Sequence, residues 1–434
     1  MSSSATRSPQ LSQATYSLDH DLWIEHLATT DNLLIIQDLD GVCMGLVNDP
    51  LTRHIDPAYV SATAAFDGHF YVLTNGEHIG LRGVNGIVDK AWGEAEAPAL
   101  GRYLPGLAAG GVQWQDRQGK VSHPGVSAAE LSFLKQVPLR IRQALTAFAQ
   151  EQDLSLAGEA LERCIQASVL DNVASPTANL NTFHQALGGD SRTYIALQKA
   201  MEQLMTQLLE ESAEQGLGES FFVHYAPNHG RNPDGQEVIW LSQAEESGTT
   251  DFQFMLRGAI KEAGVLALLN RYYGTRTGEY PLGADFNVRQ APHNHGALLA
   301  LVQGNFDPAL MPVLIGVGDT VTSTVEFVDG QPVAKRGGSD RNFLLLIQSI
   351  GQAFERDNVV TYVDSSGGEL KNRRALKVES IEGQDIVTAG PGDPQDPDDP
   401  LGLNVVFPGG YRQYCQAFGI AAQHRQAQAQ VKPG

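Results

Sequence analysis

The sequence predicts an α/β protein built around a parallel β-sheet. Short apolar runs at residues 33–36, 70–73, 313–317 and 359–363 have the length and composition of buried strands. Each run ends in polar residues or glycine, as parallel strands do where they lead into the loops that carry the site of such a sheet. A helical pattern at 57–66 lies between the first two runs, which matches the crossover of a βαβ unit.

The first predicted strand delivers two acidic residues to a turn. Residues 33–36 lead through Gln37 into Asp38, Leu39, Asp40 and Gly41. Two carboxylates at the carboxyl end of a parallel strand suit a division of labour, with one group as nucleophile or metal ligand and the other as acid/base. A helix-capping aspartate followed by an ordinary Asp-Gly turn is the structural alternative.

The other predicted strands end in comparable polar residues. The second run is followed by Thr74 and Asn75, the third by Gly318 and Asp319, and the fourth by Asp364. Because the carboxyl ends of parallel strands meet at one edge of a sheet, these side chains are expected to lie near the first pair of aspartates.

A long segment separates the second and third predicted strands. It contains helical patterns, such as residues 128–150 and 194–215, and a strand-like pair at 221–225 and 238–241. Helices mixed with antiparallel strands indicate a separate α+β module inserted into the parallel sheet. The predicted organisation is a flexible tail at 1–29, a core domain at 30–89 and 286–434, and a cap domain at 90–285. Residues 389–400, rich in Gly, Pro and Asp, are predicted to be a surface loop.

Composition narrows the classes of partner and compartment. The 434 residues carry a formal charge of −20, which argues against nucleic-acid or anionic-membrane partners. No run is long and apolar enough to cross a membrane, and the first twenty residues lack the apolar stretch of a signal peptide. Three distant cysteines without metal spacing indicate a reducing compartment. We therefore expect a cytoplasmic protein.

Taken together, three of the strand ends resemble the motifs of the haloacid-dehalogenase-like phosphatases. That resemblance implies a Rossmann-like parallel sheet with an inserted cap. The stretches that carry it are Asp38-x-Asp40-Gly41-Val42, Thr74-Asn75 and Gly318-Asp319.

The resemblance also implies a role for each residue. Asp38 would attack phosphorus and form an aspartyl-phosphate, and Asp40 would act as general acid and base. Thr74 and Asn75 would bind the transferring phosphoryl group. Mg²⁺ would be held by the Asp38 and Asp319 carboxylates and the Asp40 main-chain carbonyl, because hard oxygen ligands suit this ion.

Two positions depart from the pattern of these phosphatases. The family usually has a lysine ahead of the third strand, where this chain has His295, so His295 is expected to bind phosphate. Alternative sources of positive charge are Lys261, Arg289 and Lys335. Many relatives have another acid four positions after Asp319, where this chain has Ser323, which would then orient a water ligand.

The whole chain further resembles the glucosylglycerol-phosphate phosphatases. This likeness implies Mg²⁺-dependent hydrolysis of 2-O-glucosylglycerol 3-phosphate in compatible-solute synthesis under salt stress, with the synthase of the precursor as an expected partner. A sucrose- or trehalose-phosphate phosphatase and a non-catalytic sugar-phosphate-binding protein are the alternatives. The stretches that carry this likeness are Asp38 to Met44, Leu73 to Glu77, His293 to Leu298 and Leu403 to Gly410.

Overall fold

A computed structural model describes most of the chain and divides it into two compact units. The first unit comprises the described part of Met1–His78, together with Val84–Pro124 and Ile260–Gly434, and the second comprises Ile79–Gly83 and Gly125–Ala259. The described residues are 18–47, 50–152, 154, 156, 158–226, 228–231, 237–243, 247–328, 330–369 and 373–431.

Helices and strands alternate through much of the described chain. The helices are α1 His20–Thr29, α2 Pro57–Ala62, α3 Val84–Trp92, α4 Glu96–Ala99, α5 Ala128–Leu134, α6 Val137–Glu151, α7 Gly158–Ser168, α8 Asn181–Ala186, α9 Ser191–Glu214, α10 Lys261–Thr277, α11 His295–Asn305, α12 Arg341–Phe354 and α13 Gly410–Val431. The strands are β1 Leu33–Gln37, β2 Phe70–Leu73, β3 Gly106–Ala108, β4 Gln113–Gln115, β5 Val121–Ser122, β6 Val169–Leu170, β7 Thr177–Asn179, β8 Phe221–Ala226, β9 Asn228–Arg231, β10 Glu237–Ile239, β11 Asp251–Leu256, β12 Val313–Gly318, β13 Thr322–Val328, β14 Gln331–Gly337, β15 Val359–Val363, β16 Lys377–Ile381, β17 Gln384–Ala389 and β18 Val405–Phe407.

The first unit is built on an eight-stranded sheet in the order β18-β15-β12-β1-β2-β3-β4-β5. The six strands from β18 to β3 are parallel, and β4 and β5 continue the sheet antiparallel. The four strands predicted from apolar runs are β15, β12, β1 and β2, and they lie side by side in the sheet. The predicted α/β fold class with a parallel sheet is therefore confirmed.

Both faces of this sheet are covered by helices. Leu33 and Ile35 of β1 lie in the core cluster that α1, α2 and α13 complete. On the other face, a Cβ added at Gly316 of β12 would meet Leu344 and Ile347 of α12 at 2.8 Å. Alternate residues of a strand point to opposite faces, so a strand covered on both faces must be apolar throughout. This explains why the predicted strands are continuous apolar runs.

The N-terminal part of the chain differs from the predicted tail of 1–29. Residues 1–17 lie outside the described residues, but His20–Thr29 forms α1. The Asp19 side chain accepts a hydrogen bond from Leu22 N and caps this helix. Trp23 and Leu27 are fully buried in the core cluster. Burial of these apolar side chains, rather than the local composition, orders this segment.

The second unit is smaller than the predicted insertion of 90–285. Residues 90–124 and 260–285 belong to the first unit, because β3 pairs in parallel with β2 and α10 packs on the sheet beside Leu73. The second unit combines α5–α9 with an antiparallel sheet in the order β6-β7-β11-β8. Phe252, Phe254 and Leu256 alternate along β11 as its buried face. Among the described residues, no helix is both long and apolar enough to cross a membrane.

Candidate active site

The turn after β1 holds the first pair of aspartates. Asp38 N donates to Val317 O at 2.9 Å, which continues the β1–β12 pairing one residue beyond the strand. Gly41 then takes a φ of 81°, a left-handed conformation that glycine adopts without steric cost. Asp38 is buried, with 6 % of its surface exposed, whereas Asp40 is about one-third exposed. The two carboxylates therefore occupy different environments.

Three buried aspartates converge at the carboxyl edge of the sheet. Asp38 follows β1, Asp319 follows β12, and Asp340 precedes α12. One carboxylate oxygen from each lies within 4.8 Å of the others. Two glycines leave room for this approach: a Cβ at Gly41 would lie 2.2 Å from Asp319 Oδ2, and one at Gly318 would lie 2.7 Å from Asp340 Cβ.

Sequence reasoning missed Asp340, which lies twenty-one residues after Asp319. The β13–β14 hairpin leaves the sheet edge after Asp319 and returns the chain to the same place, where Asp340 Oδ2 accepts from Asp319 N at 2.8 Å and Thr320 N at 3.0 Å. Ser323 Oγ accepts a hydrogen bond from Asp393 N at 2.8 Å, and its role in orienting a water ligand stays a prediction. An aspartate directly before the apolar pattern of α12 was the available signal.

A buried lysine completes the cluster. Lys261, the first residue of α10, places Nζ 2.6 Å from Asp340 Oδ1 and 2.8 Å from Asp38 Oδ1. His295, which the sequence analysis assigned to this position, begins α11, and its Nε2 lies 3.0 Å from Ser349 Oγ. We therefore assign the lysine position to Lys261, one of the three alternatives named from the sequence. The His295 assignment failed because sequence order does not reveal that α10 starts at the sheet edge.

The other two alternatives are placed elsewhere. Lys335 pairs with Glu326 at 2.6 Å on the exposed β13–β14 hairpin. Arg289 lies in a short 3-10 helix, Val288–Gln290. Lys261 is thus the alternative that contacts the aspartate cluster.

Electrostatics at the cluster follow from the concentration of buried charge. Burial, and then the neighbouring Asp340, raises the pKa of Asp38 to about 7, although Lys261 opposes this shift. Burial and Asp340 also raise the pKa of Asp319 well above its usual range. Burial lowers the Lys261 pKa, but Asp340 and Asp38 outweigh it, so the net shift is upward. The cluster has more buried negative charge than one ammonium group neutralises.

The predicted phosphate-binding loop lies beside Asp40. Thr74 is buried directly after β2, and its Oγ1 accepts from Gly76 N at 3.2 Å, whereas Asn75 is exposed. A Cβ added at Gly76 would lie 3.6 Å from Thr74 Oγ1 and 4.0 Å from Asp40 Oδ2. The turns after β1 and β2 therefore bring Thr74 and Asp40 to the same place.

Arg53 is a second residue that sequence reasoning missed. Its Nη1 lies 3.0 Å and 3.2 Å from the two Asp40 carboxylate oxygens. The Arg53 side chain is 10 % exposed. No motif marked this arginine, which lies in the loop between β1 and α2, thirteen residues after Asp40.

The carboxylate cluster fits a hard divalent cation. Among the residues that the structure describes, Asp319 Oδ2 is buried without a hydrogen-bond partner, and Arg373 Nε lies 3.9 Å from it. A buried carboxylate oxygen that accepts no hydrogen bond is costly unless a cation or water satisfies it. All three donors are carboxylates. Hard cations such as Mg²⁺ and Ca²⁺ prefer oxygen ligands of this kind, whereas softer metal ions prefer sulfur or nitrogen ligands.

Comparison with known proteins gives one family over most of the chain. The family model described as glucosylglycerol-phosphate phosphatase matches residues 32–422. A glucosylglycerol-phosphate phosphatase from a Synechocystis strain is 59 % identical over 416 residues, which cover 96 % of this chain and 98 % of the relative.

Solved structures give weaker likenesses. Trehalose-6-phosphate phosphatase from Aspergillus fumigatus aligns with 10 % identity and a TM-score of 0.37, over 94 % of this chain and 100 % of the other. The C-terminal domain of the C. albicans trehalose-6-phosphate phosphatase aligns with 11 % identity and a TM-score of 0.41, over 95 % of this chain and 99 % of the other. These values are low, so inferences about function rest on the family match and on the residues of the site.

Proposed function

The chain belongs to the glucosylglycerol-phosphate phosphatase family and is a phosphatase, and from this premise we propose that it hydrolyses 2-O-glucosylglycerol 3-phosphate. The products are glucosylglycerol and inorganic phosphate. The reaction would complete the synthesis of this compatible solute under salt stress. The high identity to the Synechocystis enzyme over nearly the full length of both chains supports this choice of substrate.

One observation carries the proposed chemistry: Lys261 Nζ lies 2.8 Å from Asp38 inside a cluster of buried carboxylates. A carboxylate that attacks a phosphate ester meets like-charge repulsion, so its site must supply positive charge. Lys261 supplies a fixed ammonium group on one side of Asp38. Because the side chain is 4 % exposed, water screens this charge little.

In the first step, an Asp38 oxygen attacks phosphorus and the bond from phosphorus to the glycerol oxygen breaks. Asp40 donates a proton to the departing alkoxide, which requires it to leave its ion pair with Arg53. Thr74 Oγ1 and the Asn75 main-chain N–H donate hydrogen bonds to the phosphoryl oxygens. The product of this step is an aspartyl-phosphate on Asp38.

In the second step, Asp40 removes a proton from water, which attacks the aspartyl-phosphate and releases inorganic phosphate. The same carboxyl group thus serves as acid and then as base, so its proton balance closes over one turnover. Burial of Asp38 slows attack by other water molecules, whereas the more exposed Asp40 keeps contact with solvent.

The carboxylates of Asp38, Asp319 and Asp340 and the Asp40 main-chain carbonyl would hold Mg²⁺. When bound, this ion would neutralise carboxylate charge and withdraw electron density from the phosphoryl group. We include Asp340 in this ligand set because one of its carboxylate oxygens lies within 4.8 Å of those of Asp38 and Asp319, and its hydrogen bonds with Asp319 N and Thr320 N orient its carboxylate.

Two alternatives named from the sequence are less well supported. A sucrose- or trehalose-phosphate phosphatase would share the same cluster and differ only in contacts to the organic group. A non-catalytic binding protein has no need for three buried aspartates, a lysine and a second acid at one sheet edge. We further propose a cytoplasmic location and the synthase of the phosphorylated precursor as a partner.

Phosphate release from a panel of substrates tests the proposal. The panel is glucosylglycerol phosphate, sucrose phosphate, trehalose phosphate and glycerol phosphate, each with Mg²⁺ and with EDTA, and Asp38→Asn protein is the blank. We expect selective, EDTA-sensitive release from glucosylglycerol phosphate. Preference for another substrate would refute the assigned substrate, and release in EDTA would refute the metal requirement.

A further inference from the structure

The segment predicted to be a surface loop is anchored to the first unit by its acidic side chains. We call residues 393–399 the acidic loop. Its Asp393, Asp396 and Asp399 recur every third residue, with side chains 13 %, 3 % and 1 % exposed. Buried carboxylates are rare unless they are paired. Their partners therefore indicate what the acidic loop does.

Two of these aspartates bind the β13–β14 hairpin. Asp393 Oδ2 accepts from Val325 N at 2.9 Å on β13, and Asp393 N donates to Ser323 Oγ. Asp396 binds Arg336 of β14 through two parallel hydrogen bonds of 2.6 Å and 2.8 Å. Such paired contacts fix geometry as well as adding energy. The acidic loop thus holds both strands of the hairpin.

The third aspartate binds the residue next to the Asp340 carboxylate. Asp399 accepts a hydrogen bond from Arg341 Nη2, and both side chains are almost fully buried. On the other side of the loop, Arg374 Nη1 donates to Gly392 O at 3.3 Å, and the adjacent Arg373 donates to Thr320 Oγ1 at 3.1 Å. The acidic loop is therefore linked by adjacent residues to the segments that carry Asp340 and Asp319.

The hairpin itself offers little to fix Asp340. It forms a two-stranded sheet of its own, and residues 326–328 and 331–336 are exposed. A two-stranded hairpin is at best marginally stable alone. A cation site needs its ligands held to within a fraction of an ångström. Hydrogen bonds from Asp319 N and Thr320 N orient the Asp340 carboxylate itself, and the contacts of the acidic loop add a constraint on the hairpin that returns the chain to Asp340.

We propose that the acidic loop is a positioning element that sets the affinity of the Asp38–Asp319–Asp340 cluster for a divalent cation. The inference rests on the proposed function only in that the cluster binds such an ion. Residues that orient metal ligands typically change metal affinity by about 10–100-fold when they are replaced. A purely structural ion pair would change the stability of the fold and leave the affinity of the folded protein unchanged.

Cation binding to the full-length protein tests the proposal without relying on turnover. Mn²⁺ is the probe, since electron paramagnetic resonance reads its free fraction directly, and Mg²⁺ competes in a second titration. The variants are Asp399→Asn, Arg341→Lys and Asp396→Asn. All titrations are made at the same ionic strength, so that the Kd values can be compared. Glu211→Gln is the control for the Asp396–Arg336 pair, because it disrupts another two-bond pair between a carboxylate and an arginine, with Arg140 at 2.6 Å and 2.7 Å, in the second unit.

We expect Asp399→Asn to raise the Kd for Mn²⁺ about 10–100-fold, Arg341→Lys to raise it less, and Glu211→Gln to leave it unchanged. At saturating Mg²⁺, kcat of Asp399→Asn should stay within about twofold of wild type. If Asp399→Asn does not fold, Asp396→Asn is measured in its place. Its partner Arg336 is 32 % exposed, so water can solvate the arginine that the substitution leaves without its carboxylate. Kd values within about twofold of wild type in the folded variants would overturn the positioning role. Absence of Mn²⁺ binding by wild type would instead overturn the metal site itself.

Discussion

Replacement of Lys261 by methionine is the most informative single change to the cluster. Its Nζ lies 2.6 Å from Asp340 and 2.8 Å from Asp38, and all three side chains are buried. Methionine keeps the length of the apolar stem but removes the positive charge. The variant Lys261→Met would leave two aspartates in a low-dielectric site without their shared partner.

The size of the effect follows from burial and depends on pH. Loss of one partner of a buried ion pair costs about 3–5 kcal/mol. A proton can replace the lost charge, because burial and Asp340 raise the pKa of Asp38 to about 7 even beside Lys261. A carboxyl whose pKa is raised on folding binds more protons when folded, so stability falls as pH rises from the unfolded pKa to the folded one. Each pH unit in that window contributes at most about 1.4 kcal/mol per proton.

The assay is urea-induced unfolding in EDTA at pH 5 and pH 8, with phosphate release measured in parallel. We expect Lys261→Met to lose about 3–5 kcal/mol at pH 8, less at pH 5, and about 10²–10³-fold in kcat. Lys335→Met is the matched control, because its pair with Glu326 is exposed and should contribute under about 1 kcal/mol. Equal losses in the two variants would refute the assignment of Lys261.

Three further predictions concern single residues. His295→Ala should keep kcat within about threefold of wild type in the phosphate-release assay; a loss as large as that of Lys261→Met would restore His295 to the site. Gly41→Ala should abolish Mn²⁺ binding, because its Cβ would meet Asp319 Oδ2 at 2.2 Å, whereas Gly68→Ala, with a similar positive φ and nothing within 4 Å, should only lower stability. Burial lowers the pKa of His78 to about 4 from 6.5. Between these values the unfolded chain binds a proton at His78 that the folded protein does not, so the free energy of unfolding falls by about 3 kcal/mol as pH drops from above 6.5 to 4. His78→Gln should flatten that pH dependence in unfolding experiments, and an unchanged slope would contradict it.

The parts of the fold that could be predicted from the sequence are those set by local pattern. A strand covered on both faces must be apolar throughout, so β1, β2, β12 and β15 were visible as uninterrupted runs. Their polar ends fixed the candidates Asp38, Thr74 and Asp319, because parallel strands present their carboxyl ends at one edge. Each of these inferences needs only a few consecutive residues.

The parts that could not be predicted depend on distant segments. Asp340 reaches the cluster because the β13–β14 hairpin leaves the sheet edge and returns the chain to it twenty-one residues after Asp319. The sequence analysis looked for the next acid four positions after Asp319, where the chain has Ser323. Lys261 is the first residue of α10 and contacts the cluster because α10 packs on the sheet beside Leu73. This packing depends on residues far apart in the sequence. The predicted bounds of the insertion were also too wide. With three residues, β3 is too short to be recognised as a strand from its sequence, so its pairing with β2 in the sheet was not predicted.

Trapping of the covalent intermediate tests the central claim most directly. Asp40→Asn protein lacks both the acid for the first step and the base for the second, so it should phosphorylate slowly and then retain the phosphoryl group. It is incubated with glucosylglycerol phosphate and Mg²⁺ for a series of times, quenched in acid and mapped by tandem mass spectrometry. The account predicts one phosphoryl group, on Asp38, and none in protein that also carries Asp38→Asn. A phosphoryl group on another residue, or turnover by Asp38→Asn equal to that of wild type, would contradict it.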